Sequence, residues 1–177
     1  MNEILLPNAR LYAARRQLDL AETLGSGKDG IVLAAKHKTN PADGSRSADV
    51  AVKIHCSEEA YLREKWAYQR LSIKRIKTVE GFNVPQLIDF DDALLALEMT
   101  IVKRPFVVDF AAAYLDRRPD FPEEVWAGWE EEKREQFEAR WPLVQNILAA
   151  FELLGIYLTD ISPANIGFLD DAGEQTN

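Results

Sequence analysis

The sequence predicts an α+β fold, in which a five-stranded antiparallel sheet with one helix precedes a mainly helical segment. Three observations carry that expectation. Short apolar runs broken by turn formers fill residues 18–55 and 84–102. One charged helical stretch, 57–71, stands between them. Beyond residue 105 the character changes to helix, with apolar residues recurring every three or four positions from Phe137 onward.

The elements follow in order. "LDLAETLGSGKDGIVLAAKH" (18–37) gives two strands around a glycine-rich turn, "KTNPADGSRSAD" (38–49) an exposed loop, and "VAVKIH" (50–55) a third strand. In "SEEAYLREKWAYQRL" Ser57 can cap the helix, and Glu58 and Glu59 complement its positive end. "VPQLIDFDD" and "ALLALEMTIV" give two more strands that meet at Asp91–Asp92. "PFVVDFAAAYL" (105–115) is a short helical candidate, and 116–140 is a loop followed by a solvated helix. Trp141, Val144, Leu148, Phe151 and Leu154 form an apolar stripe. Pro142 predicts a kink or fresh helix start there, and Gly155 a stop.

Length and composition fit one domain of 177 residues, or two lobes at 1–102 and 103–177, with 47% apolar residues to build a core. A net charge of −8 argues against a nucleic-acid partner, and "SIKRIK" (72–77) reads as a solvated basic face. One cysteine, Cys56, allows no internal disulfide, and with His37 and His55 alone no Cys/His metal cage forms. The apolar run at the start is too short for a signal peptide, and no stretch has the length of a membrane span. The expectation is a cytoplasmic protein without a membrane partner.

Four stretches carry chemistry. Gly25, Gly27, Gly30 and Val32 satisfy G-x-G-x-x-G-x-V, in which glycines let backbone N–H groups approach a phosphate. A dinucleotide-binding loop would open a helix, whereas a strand follows here. A Walker A reading of "GSGK" fails because Glu22 and Asp29 occupy its glycine and Ser/Thr positions. Lys53 is a lone cation in an apolar strand and needs an anion; Glu64 on the next helix can supply it. "LEMT" (97–100) says little by itself. In "LTDISPANIGF", Asp160 can accept a hydroxyl proton and Asn165 can ligate Mg²⁺; the bland alternative is an Asp/Asn/Pro turn.

In this order, the glycine-rich loop, strand lysine, helix glutamate and D-x-x-x-x-N resemble the protein-kinase superfamily, over about residues 18–171. The resemblance implies a kinase-like fold: a five-stranded N-lobe with one helix and an incomplete C-lobe. It implies that Gly25, Gly27 and Gly30 cover the phosphates of ATP, and that Val32 and Ala51 pack on the adenine. Lys53 would hold the α- and β-phosphates and pair with Glu64. Leu97 would be the gatekeeper, with the backbone of Glu98 and Thr100 on the adenine edge and Asp109 as a ribose contact. Asp160 would be the catalytic base and Asn165 a Mg²⁺ ligand.

Two departures follow from the same resemblance. Leu158-Thr159-Asp160 stands where the family has His-Arg-Asp, which implies no arginine to receive an activation-loop phosphate. The Asp-Phe-Gly aspartate would fall after the hairpin that "FLDDAGEQTN" begins, so the metal site is expected to be incomplete, with Asp170 or Asp171 as the only nearby substitutes. The expected function is therefore ATP binding with Ser/Thr-type or small-molecule phosphotransferase ancestry. The alternatives are a pseudokinase-like module acting through protein contacts, or an α+β domain that only imitates the motifs. Without the family's remaining helices, the apolar face of 137–154 is expected to be partly uncovered, inviting a partner or self-association.

Overall fold

The computed structural model describes residues 2–38 and 49–169. Along the chain run α1 (Asn2–Arg16), β1 (Leu18–Gly27), β2 (Gly30–His37), β3 (Asp49–His55), α2 (Glu58–Ile73), β4 (Thr78–Val79) and β5 (Phe82–Asn83). They are followed by β6 (Leu87–Asp91), β7 (Ala96–Thr100), β8 (Phe106–Val107), β9 (Tyr114–Leu115), α3 (Glu123–Phe137), α4 (Trp141–Leu153), β10 (Ile156–Tyr157) and β11 (Ile166–Gly167). They group into two compact units, Met1–Lys65 with Gln86–Ile101, and Trp66–Pro85 with Val102–Asn177.

The first unit holds the expected five-stranded antiparallel sheet, in the order β1-β2-β3-β7-β6. Its glycine-rich stretch is a hairpin, with Gly27 opposite Gly30 across the two-residue turn Lys28–Asp29. Alternation along β3 sends Val50, Val52 and Ile54 to one face, and Ala51, Lys53 and His55 to the other. The first face is covered by α1, a helix with no counterpart in the sequence reading. Leu5, Ala9, Tyr12 and Ala13 recur at helical spacing and join Ile31, Leu33, Val52 and Ile54 in one core. α2 begins as expected, with the Ala60 N–H donating to Ser57 Oγ at 3.2 Å.

In the second unit, β11-β8-β5-β4 form a small sheet and β9 pairs with β10. The segment 105–115, expected to be helical, instead contributes β8 and β9. Pairing of Val107 with Ile166 and of Tyr114 with Tyr157 outweighs the weak helical pattern. Pro142 starts a fresh helix, as expected: α3 ends at Phe137, a single tight turn spans Glu138–Arg140, and α4 opens with Pro142 in its first turn. Gly155 ends it with φ of +72°. The apolar stripe is covered in part: Trp141, Val144 and Phe151 are buried, whereas Leu148 and Leu154 are half-buried. Phe137 and Ile147 are buried as well, and Phe151 packs on Phe110 with ring centres 5.5 Å apart. The large apolar side chains that α4 leaves exposed are Leu143 and Leu153.

Candidate functional site

Strand register in the first unit gathers several of the residues singled out in the sequence. Gly25 lies opposite Val32, Val32 opposite Lys53, and Lys53 opposite Leu97. Directly opposed residues share a face, so these four form one row across four strands. A second row on the same face runs through Ala34, Ala51 and Met99.

Lys53 is 5% exposed, and its ammonium has the partner that burial demands: Nζ lies 2.7 Å from Glu64 Oε2. His55, two residues along the strand, turns the same way and places Nε2 2.6 Å from that same oxygen. Burial by itself would raise the Glu64 pKa, but the Lys53 charge and the His55 and Lys53 bonds outweigh it and hold the carboxyl down to about 2. The carboxylate is therefore ionised, in a group that is 1% exposed.

The three glycines differ in what requires them. A Cβ on Gly30 would sit 2.1 Å from the Ile54 carbonyl oxygen, so β2–β3 pairing alone demands glycine there. A Cβ on Gly25 or Gly27 would meet nothing within 4 Å. Packing of the chain gives no reason for glycine at either position.

Glu98 and Thr100 do not join the row. β7 lies between β3 and β6, and the Thr100 N–H donates to Gln86 O at 3.0 Å. The Glu98 side chain points to the α1 face and is fully buried. There it accepts from Tyr12 Oη at 3.0 Å and Arg16 Nε at 2.9 Å, and meets His37 Nε2 at 3.0 Å. Burial and the Glu98 charge push the Tyr12 phenol far above its usual range, which keeps it a proton donor.

In the second unit, Asp160 and Asn165 belong to a braced loop. Asp160 is exposed, and the residue before it is held twice. Trp129 Nε1 donates to Thr159 O at 2.7 Å, and Thr159 Oγ1 donates to Ala112 O at 2.9 Å. Asn165 Nδ2 donates to Asp160 O at 3.0 Å, while Asn165 Oδ1 accepts from the Ser162 hydroxyl. The Asn165 carbonyl receives the Val108 N–H, which ties the loop to β8. Asp109, also in this unit, has φ of +69° and accepts the Ala111 N–H through Oδ1.

Asn165 is the one expected Mg²⁺ ligand that lies among the described residues, and its side chain is already engaged within the loop. The one amide oxygen Asn165 offers already accepts a hydroxyl, and no group of three or more His, Cys, Asp or Glu that could hold a metal occurs among the described residues. Asp170 and Asp171, the other ligands considered, lie outside the described residues. Likewise among the described residues, no helix is long and apolar enough to cross a membrane.

Sequence reasoning missed α1, the anchoring of Glu98 and the place of His55 beside Glu64. An acid inside the apolar strand "ALEMT" was the available signal for Glu98. No protein-family model matches this chain, and no curated protein matches it either.

Proposed function

We propose that this chain is an ATP-binding domain of the protein-kinase type, in which Lys53 holds phosphate oxygens and Asp160 is the base for phosphoryl transfer to a hydroxyl. The observation that carries the reading is the row Gly25–Val32–Lys53–Leu97, with Glu64 on the lysine. A buried lysine with a carboxylate partner can exchange part of that contact for phosphate without being stranded as an unpaired charge. Val32 and Ala51 flank it with apolar surface suited to a base. Gly25 and Gly27 leave backbone clear where no packing demands it. The Thr100 N–H is already bonded to Gln86 O, so of these backbone groups it is not open to an adenine edge.

Thermal unfolding with ATP and magnesium tests the reading. A rise in Tm with millimolar ATP, lost in Lys53→Ala, is expected; no rise in the wild-type chain overturns it. A second reading, a binding module without turnover, is favoured by one observation: both polar atoms of the Asn165 amide brace its own loop. Transfer of labelled phosphate from ATP to water or to an added hydroxyl acceptor, abolished in Asp160→Ala, supports the enzyme. ATP binding with no transfer supports the module.

A further inference from the structure

The geometry points to His55 as a positioning residue for Lys53, one whose proton sets how much of the Glu64 charge is left to hold the lysine. This rests on the proposal that Lys53 binds nucleotide phosphate. Lys53 Nζ and His55 Nε2 share a single oxygen, Glu64 Oε2, at 2.7 and 2.6 Å. The other ring nitrogen, Nδ1, lies 3.2 Å from the Leu95 carbonyl oxygen. A carboxylate and a carbonyl both accept hydrogen bonds, so both contacts are satisfied only by the ring carrying both N–H groups.

The ring is enclosed on every side. Lys53 shares its strand, and Glu64 and Tyr61 face it from α2, the Tyr61 ring edge-on with centres 5.6 Å apart. Tyr61 is in turn bonded to Asp92, and Leu95 closes the far side from the turn between β6 and β7. Gly30, opposite on β2, has no side chain to offer.

The consequence concerns anion binding. With the ring doubly protonated, Glu64 divides its charge between two cations, and the three groups together carry one net positive charge. Lys53 is then free to turn part of its charge toward a phosphate. With the ring neutral, the cluster carries one positive charge fewer and attracts an anion less. Nucleotide should therefore bind more tightly when the ring is doubly protonated than when it is neutral. By reciprocity, bound nucleotide should favour the doubly protonated ring.

Calorimetric titration with Mg-ATP, run on wild type and His55→Gln at about pH 6 and about pH 8, reads this out. Comparing the two proteins cancels the titration of the nucleotide itself. Removing one positive charge from the cluster beside Lys53 predicts a pH ratio of affinities roughly tenfold larger in wild type than in the variant. Equal ratios in two proteins that both bind overturn the role of His55 and leave the nucleotide reading standing. A wild-type chain that binds no nucleotide at either pH overturns both. Should His55→Gln fail to fold, ring-nitrogen NMR of the wild-type chain decides. His37 and His55 are its only histidines, and saturating ATP should raise the doubly protonated fraction of His55. An unchanged His55 signal on saturation overturns the proposal.

Discussion

Tyr12 donates its phenolic proton to Glu98 across 86 residues of sequence, and that 3.0 Å bond joins α1 to the middle of the sheet. Glu98 is fully buried, so each donor it loses leaves acceptor capacity that water cannot reach. Tyr12→Phe removes one donor with little change of shape. It should lower stability by about 1–3 kcal/mol in urea unfolding, with the denaturant slope unchanged.

The glycines of the β1–β2 hairpin should separate by role. Gly30→Ala drives a methyl group into the Ile54 carbonyl and should unfold the hairpin or cost about 3 kcal/mol or more. Gly25→Ala and Gly27→Ala meet no atom of the chain and should leave Tm nearly unchanged while weakening ATP binding. Equal loss of Tm in all three would remove the distinction.

Glu64 gives the first unit an acid sensitivity of known sign. Its folded pKa, about 2, lies below its ordinary 4.5, so the stabilisation is complete above the ordinary value and disappears as pH falls toward the folded one. Glu64→Gln should flatten the fall in stability between those limits. At neutral pH the same change strands Lys53 and His55 without their anion and should cost about 3–5 kcal/mol.

Gly155 serves the second unit much as Gly30 serves the first. Its φ of +72° favours glycine, and a Cβ would lie 2.7 Å from Arg70 Nη1. That guanidinium donates to both carboxylate oxygens of Asp116, at 2.7 and 2.8 Å, and to Gly155 O at 2.9 Å. Gly155→Ala should lower stability by about 1–3 kcal/mol, from backbone strain and displacement of Arg70. Circular dichroism melts would show it.

The loop before β11 offers a test of bracing against ligation. Asn165→Ala removes the bonds to Ser162 and to the Asp160 carbonyl, and should cost about 1–2 kcal/mol without any metal present. An Asn165→Ala chain as stable as wild type would return that side chain to the role of a free ligand.

Local rules made much of this structure legible. The β1–β3 meander, the Ser57 cap, the fresh start at Pro142 and the stop at Gly155 each depend on neighbours within a few residues. The row through Lys53 was partly legible too, because a lysine in an apolar strand advertises its need for an anion. What failed was non-local. Residues 105–115 became strand through partners some fifty residues away, at Tyr157 and Ile166. α1 carries a usable apolar spacing at Leu5, Ala9, Tyr12 and Ala13, yet nothing near it says which surface it covers. Likewise, Glu98 has its donors at Tyr12, Arg16 and His37, far upstream of the strand that holds it.

That upstream tie has a consequence for synthesis. α1 leaves the ribosome before the sheet does, and the carboxylate that anchors Arg16 follows 82 residues later. Until β7 is made, the sheet that α1 covers lacks an inner strand, and Tyr12 and Arg16 lack their Glu98 acceptor. Its docking is thus a late event, delayed by translation itself, and the interval is one in which a holdase chaperone would find Leu5 and Tyr12 accessible.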